Sequence, residues 1–421
     1  MRERSVLWKH GDFLNVWTAE TISVFGSQFY LLAMPLVAVM VLDASPFEMG
    51  LLFAVEMSPF LLFGLLAGVL ADRRRRRSIM IVSDIARAII LAAIPVTWYF
   101  DALCWPVMFG VAFLAGMFTA FFDIAYQAYL PVLVKRALLI DANSKLETSR
   151  ASSQVAGPSI AGLVVDAIGA PFAVAANSAS FLASAAFLMR VKKKEVLQKM
   201  SNGRSVLGEI REGLDIVFSN KMLRGIAGCT ATANLFGSMS FAVMVLFMED
   251  SLELSPTWIG LLFAVGSAGA IVGAITLSRV TSSIGLGKAI VVSSLLSGFP
   301  VALMAFAQPD NAFLLLAPLL FVNGILMIVY NVNQISLRQS ITPENLQGKM
   351  NATMRFLVWG VFPIGGLLGG VLAEMIGLRT IFLVSGLGGT MSFLWVYLSP
   401  VPKVRSISND GIEMSDEAHA A

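Results

Sequence analysis

Residues 45–77 read SPFEMGLLFAVEMSPFLLFGLLAGVLADRRRRR, and this one stretch decides the fold. Its apolar part is long enough to cross a bilayer core, which takes about 20 residues as a helix. It ends on Arg73 to Arg77, five consecutive charges that hold this end of the span on the cytoplasmic side. Its opening also returns later in the chain. Ser45-Pro46-x-x-x-GLLFAV, with Gly50 to Val55, matches Ser255-Pro256-x-x-x-GLLFAV, with Gly260 to Val265, at an offset of 210. Asn143, Gly162, Asp166 and Gly169 match Asn351, Gly370, Glu374 and Gly377 at an offset of 208. Two sets at nearly one offset indicate a duplicated unit.

Outward from this stretch, apolar runs of similar length give twelve spans at roughly 13–42, 47–71, 78–100, 105–129, 144–165, 171–190, 223–248, 256–280, 288–307, 312–336, 350–373 and 379–399. Backbone groups in hydrocarbon must bond internally, so these are helices; the alternating ten-residue pattern of a barrel is absent. The expected fold class is therefore all-α integral membrane, with twelve transmembrane helices in two pseudo-symmetric six-helix bundles. The divisions are 1–190 for the first bundle, 191–222 for a cytoplasmic linker with an amphipathic helix, 223–400 for the second bundle and 401–421 for a disordered cytoplasmic tail. The linker helix rests on Val206, Ile210, Leu214 and Val217 at helical spacing, as for a helix lying on the inner leaflet.

Composition agrees. Hydrophobic residues make up 57% of the 421 and charged residues 14%, well below the roughly 25% that covers a soluble globule. The net charge of +3 reflects a basic membrane face, and no nucleic-acid partner is expected. With both termini in the cytoplasm, every inward loop is basic and, of 30 basic residues, only Arg379 falls on the outer side. The expected location is the bacterial inner membrane. The two histidines, His10 and His419, lie near the chain ends, and Cys104 and Cys229 are isolated. That leaves no metal spacing and no imidazole-based catalytic arrangement. No Walker A run is present either, so neither an enzyme nor direct ATP drive is expected.

The loop Gly68-Val-Leu-Ala-Asp72-Arg73-Arg-Arg-Arg-Arg77 lies between the second and third spans of a duplicated six-helix chain. In this position it resembles the signature of the major facilitator superfamily, with Arg75 where the family's second glycine usually stands. Leu130 to Gly162 and Leu337-Arg338-Gln339-x-x-x-Pro343-x-x-x-x-Gly348-Lys349 resemble the bacterial proton-antiport group of macrolide and enterobactin exporters. Gly157-Pro158-x-x-Ala161-Gly162 is similar to the antiporter run on the fifth span, with Ala161 in place of one glycine. The resemblance implies a secondary transporter working by alternating access, driven by the proton gradient, without a cofactor and as a monomer. Its expected partners are the bilayer, protons and a bulky, largely apolar organic substrate such as an antibiotic or siderophore, exported from the cell. A flippase or an uptake permease for a lipid-like or nutrient solute is the alternative.

Charges within or beside spans supply the candidate site. Asp72 with Arg73 and Arg77 reads as an inner latch of a carboxylate held by forked guanidinium groups. Asp123 is its neighbour at the inner end of the fourth span. Superfamily helix pairing extends the latch to Glu147 with Arg279, and to Arg355 with Asp72. Asp84 and Arg87, one turn apart, read as a structural pair. Glu20 and Glu56 have no basic residue within a turn, and a carboxylate in mid-membrane is costly unless it has work to do. They are the candidates for the coupling proton, with Glu20 ranked first because the first span lines the cavity in this superfamily.

Overall fold

The computed structural model describes residues 7–135, 138–193, 195, 206–408 and 411–414. Six helices form the first half: α1 (Gly11–Leu42), α2 (Pro46–Arg73), α3 (Arg76–Tyr99), α4 (Trp105–Leu133), α5 (Leu139–Ile168) and α6 (Ala170–Met189). After the linker helix α7 (Val206–Ser219) come α8 (Lys221–Leu246), extended by a π-helical turn over Phe247–Ser251, α9 (Pro256–Ile284), α10 (Leu286–Met304) and α11 (Ala312–Ser340). Each of the last two spans is a pair of abutting helical segments joined by one residue of helical backbone. One is α12 (Gln347–Trp359) with α13 (Val361–Ile376), joined at Gly360; the other is α14 (Leu378–Met391) with α15 (Phe393–Tyr397), joined at Ser392.

Eleven of these helical segments are long and apolar enough to cross a membrane. The twelfth span is α5. Its 30 residues suffice, but its N-terminal half carries Asp141, Lys145, Glu147 and Arg150. Polarity, not length, sets it apart, and a polar face in a span points to a cavity. The chain is thus an all-α membrane protein of two six-helix halves. The duplication is visible in the packing: α1 lies against α5 and α6, and α3 against α4 and α6, as α8 lies against α13 and α14, and α10 against α11 and α14. Gly169 (φ +91°) and Gly377 (φ +88°) make equivalent one-residue junctions at positive φ, which glycine tolerates.

The halves differ at the loop after their second helix. Gly285, at φ +87°, joins α9 directly to α10. Its counterpart, Arg75, adopts φ −64° and ψ +116°, so α2 and α3 are separated by two non-helical residues instead of one. The N-terminus of α3 is satisfied from elsewhere: the Glu195 carboxylate accepts from the Arg76 and Arg77 amides at 2.8 and 2.7 Å.

The chain forms two compact units, Met1–Ser45 with Val55–Ser201 and Met248–Ala264, and Pro46–Ala54 with Asn202–Phe247 and Val265–Ala421. The first unit's core includes Phe13, Met80, Phe122, Tyr129 and Leu188; the second's includes Ile226, Ile290, Leu337, Met354 and Val396. The linker helix packs on α12 through Gly213 against Thr353, and Lys349 bridges to Glu212 at 2.6 Å. It has a protein partner as well as an exposed face, which includes Phe218.

Of the stretch from 401, expected to be a disordered tail, residues 401–408 and 411–414 have defined structure. Val401 and Val404 are buried in the second core, and Val404–Ser408 pairs antiparallel with Gly411–Met414. The physical reason is local: Val401 and Val404 supply apolar side chains that the second core buries, and the pairing shifts register between Val404 and Ser406. Residues 415–421, and residues 196–205 of the linker, lie outside the described ones. Arg379, the outer-side exception among the basic residues, donates to the carbonyls of Ala305 and Ala307, closing the C-terminus of α10.

Candidate functional site

In the first unit the polar half of α5 faces α1 and α4 across a cavity of about 300 Å³ bordered by Glu20, Tyr126, Asn143, Glu147 and Arg150. Glu20 is 7% exposed. Its Oε1 lies 4.0 Å from the Arg150 guanidinium, and its Oε2 has no hydrogen-bond partner among the described residues. Asp123 is close enough to act on Glu20 electrostatically. A further tie between the two helices is the 3.0 Å bond from Thr21 to the Ser149 hydroxyl. Glu20 therefore has a cation within reach, from a distant part of the sequence, which a search of its own helical turn misses.

Glu56 borders a second, narrower cavity of about 180 Å³ with Tyr30, Arg87, Thr119 and Asn177. Arg87 is buried, pairs with Asp84, and lies between the Phe122 and Phe181 rings at 4.4 and 4.0 Å from their centroids. A cation between two ring faces gains from both quadrupoles where water cannot compete. The pair expected from i,i+3 spacing is present and does more than brace α3, since Arg87 also borders the cavity of Glu56. The Tyr30 hydroxyl and the Asn177 amide nitrogen at this cavity are buried without partners among the described residues. α4 comes close because Gly116 lacks a side chain: a Cβ there would lie 2.5 Å from the Glu56 carbonyl.

The second unit holds a cavity of about 310 Å³ with a different character. Phe53, Phe241, Met327 and Phe362 supply apolar wall, and Thr230, Asn234, Asn323, Tyr330 and Asn331 supply neutral polar groups. Thr230 and Tyr330 share a 2.6 Å hydrogen bond, and Asn234 donates to the Val358 carbonyl at 2.7 Å. Among the described residues, none that borders it is charged.

The residues read as an inner latch have varied surroundings. Arg77 donates to the Leu188 and Met189 carbonyls at 2.9 and 2.6 Å, closing the C-terminus of α6. Arg73 is exposed, and the side chain of Asp72 lies outside the described residues. Glu147 borders the Glu20 cavity, Arg279 is exposed, and Arg355 lies 4.5 Å over the Trp359 ring. Gly157 packs on Gln28 of α1, while the Pro158 carbonyl and Gly162 face α9, so this run serves as a contact surface on two sides.

Two contacts that the sequence did not single out stand at the helix ends opposite the Arg73–Arg77 loop. In the first unit the Asp166 carboxylate accepts from the Thr257 amide at 3.0 Å, from the Ser255 hydroxyl at 3.3 Å and from the Thr257 hydroxyl. In the second unit Glu374 accepts from the Phe47 amide at 3.3 Å. Each carboxylate thus caps the N-terminus of a helix from the other half of the repeat, α9 and α2, where orphan amides and the helix dipole favour a negative charge. Beneath the caps the backbones meet closely. A Cβ on Gly50 would lie 2.5 Å from the Gly366 carbonyl, and one on Gly370 would lie 2.7 Å from the Pro46 carbonyl. Gly260 meets the Pro158 carbonyl, and Gly162 the Pro256 carbonyl, in the equivalent way. All eight positions are related by the internal repeat. The signal was available: both acids lie in the repeated set, opposite the repeated Ser-Pro.

Residues 7–419 match the family described as transmembrane secretion effector. The multidrug efflux pump Tap of Mycolicibacterium fortuitum is 26% identical over 95% of this chain and 98% of its own. Macrolide efflux protein A of Streptococcus pyogenes is 23% identical over 90% of this chain and 93% of its own. Among solved structures, a point mutant of the nucleoside transporter NupG superposes with a TM-score of 0.78 at 13% identity, covering 92% of this chain and 99% of that one. A bacterial homologue of the iron transporter ferroportin, in an inward-facing state, superposes at 0.72 with 16% identity over 91% and 98%.

Proposed function

Because the chain belongs to the transmembrane secretion effector family of major facilitator transporters, we propose that it exports a bulky, largely apolar organic compound in exchange for protons. The observation that carries the proton part is Glu20: a buried carboxylate on a cavity, with one oxygen unpartnered among the described residues and an arginine at 4.0 Å. In such a setting the carboxylate has two competing partners. With the proton absent, Arg150 balances its charge; with the proton present, Arg150 is released to Glu147 or to solvent in the same cavity. A group that trades a proton for an ion pair couples protonation to helix position, here between α1 and α5. Glu56, facing Arg87 and Tyr30, is the second candidate. The substrate part rests on the uncharged, aromatic cavity of the second unit and on the efflux relatives.

Asp166 and Glu374 belong to the same cycle as outer closures. The inner-latch set of Asp72, Arg73, Asp123, Glu147, Arg279 and Arg355 is assigned to the opposite end of the cycle, with Arg77 bracing α6. The orientation, with both termini cytoplasmic, rests on the basic inner loops.

The test is proton release on substrate addition. In everted membrane vesicles energised by respiration, erythromycin or ethidium should dissipate the pH gradient in wild type and not with Glu20→Gln, while equilibrium binding of the same probe to purified protein persists. Unchanged gradient dissipation by Glu20→Gln and by Glu56→Gln would remove the carboxylates from coupling. Probe accumulation coupled to protons in the opposite direction would favour an uptake permease.

A further inference from the structure

At the inner end of the second unit, where α8 begins and the last span ends, lies the largest of the cavities described, about 500 Å³. Its shape follows from the sequence. At Ser392 the backbone stays helical (φ −57°, ψ −29°), and the last span runs on into α15, which packs on the first turns of α8. Glycines allow this: a Cβ on Gly225 would lie 2.9 Å from the Ser399 Cβ, and one on Gly228 would lie 2.5 Å from the Trp395 ring. The indole is held in place by its Nε1 donating to Thr232 at 3.1 Å.

The resulting groove has two chemically distinct parts. Met391, Leu394, Trp395 and Leu398 form an apolar wall, and they are 61, 38, 51 and 80% exposed. Lys221 and Arg224, both exposed, stand at the rim. Among the described residues no acidic side chain lines the groove, and neither cation makes an ion pair at 4.0 Å or less. The helix terminus is not the unsatisfied element, because Asn220 already accepts from the Met222 and Leu223 amides. What remains is two side-chain cations above an apolar trough.

We infer that this groove binds an anionic phospholipid of the inner leaflet, its phosphate between Lys221 and Arg224 and an acyl chain along Trp395, Leu394 and Leu398. A soluble phosphate would satisfy the cations and leave the wall uncovered. A zwitterionic lipid would bring an ammonium group for which the lining has no carboxylate. Only an anionic amphiphile satisfies both parts. The depth is right as well: the basic end of the span and a tryptophan with a polar handle mark the boundary between headgroups and hydrocarbon. This inference does not depend on the transported substrate or on proton coupling.

The experiment uses the purified full chain and four kinds of probe: cardiolipin, phosphatidylethanolamine, phosphatidylglycerol of two chain lengths and inorganic phosphate. Native mass spectrometry should show cardiolipin retained at least tenfold more strongly than phosphatidylethanolamine. Lys221→Gln/Arg224→Gln should weaken cardiolipin binding about thirtyfold, from two basic groups at a membrane surface. Arg224→Lys, which keeps both charges, should bind cardiolipin nearly as well as wild type, and Lys288→Gln, which removes an exposed charge elsewhere, should leave binding unchanged. Leu398→Gln should selectively weaken long-chain over short-chain phosphatidylglycerol. Equal cardiolipin binding by wild type and the double variant would overturn the assignment. So would displacement of cardiolipin by millimolar phosphate, which would make the groove a soluble-anion site. If the double variant does not fold, the Arg224→Lys and Leu398→Gln pair decides, since identical lipid profiles for wild type and Leu398→Gln would equally remove the lipid.

Discussion

Removing both outer caps, in Asp166→Ala/Glu374→Ala, should shift the transporter toward a state open at its outer face. The size of the shift can be worked out from the contacts. Replacing a capping side chain by alanine costs about 1 kcal/mol, and a charge at a helix N-terminus adds roughly 0.3–1 kcal/mol. Glu374 makes one backbone bond at 3.3 Å and is exposed, so about 1 kcal/mol is a fair value for it. Asp166 adds two hydroxyl donors to its backbone bond, which brings it to about 2 kcal/mol. The caps share no partner, so their effects add to about 3 kcal/mol. At about 1.4 kcal/mol per tenfold, the ratio of outer-closed to outer-open molecules should fall about a hundredfold. Spin labels at Asp101→Cys and Asp310→Cys, on outer loops of the two halves, report that ratio through electron–electron distances once the exposed Cys104 is replaced by serine. The double variant should gain a longer-distance population, with a smaller gain for Asp166→Ala alone. Asp166→Asn, which keeps a capping acceptor, should lie near wild type. Identical distance distributions in wild type and the double variant would refute the outer-closure reasoning.

Three other perturbations separate structure from transport. Arg87→Leu leaves Asp84 buried without its cation and should cost about 3–5 kcal/mol of stability, seen as a lower thermal unfolding midpoint in detergent. Gly370→Val should impair transport by forcing α13 away from the Pro46 carbonyl, while Gly348→Ala, where the added atom meets open space, should leave transport near wild type in a drug-accumulation assay. Arg150→Gln removes the balancing charge of Glu20 and should uncouple export from the proton gradient without abolishing probe binding, as read by gradient dissipation beside equilibrium binding.

The spans were legible because hydropathy and length act locally: a run of about 20 apolar residues needs no tertiary partner to declare itself. Pairs within one helix were legible for the same reason, as Asp84 and Arg87 show. Arg150 beside Glu20 was not, since nothing in the sequence of α1 reports which face of α5 it meets. Arg77 shows the converse limit. Its place in a known motif suggested a latch, whereas its guanidinium holds the carbonyl end of α6, a partner with no side-chain signature. Asp166 and Glu374 occupied an intermediate position. They were visible as repeated residues but not as caps, because capping depends on where another helix starts.

The internal repeat also shows how the two halves divide their work. α8 begins at Lys221 and α10 at Leu286, in register with α1 at Gly11 and α3 at Arg76. In that register Glu20, Asp84 and Arg87 correspond to Thr230, Ser294 and Ser297. The first three carry the ionisable groups of the first unit, and the last three border the neutral cavity of the second. A duplicated scaffold has kept its backbone junctions at Gly169 and Gly377 and its caps at Asp166 and Glu374, while its interior chemistry has diverged. Under the proposed exchange, the diverged parts are what would let the two cargoes be treated differently: buried charge where a proton would be held and surrendered, and aromatic and amide groups where an uncharged body would be held without a fixed ion. A desolvated carboxylate beside an apolar substrate would lose its balancing water and gain nothing. Separating the two chemistries between units avoids that cost, and under the proposed proton exchange it would put the coupling step at the contact of α1 with α5, where Glu20 and Arg150 lie.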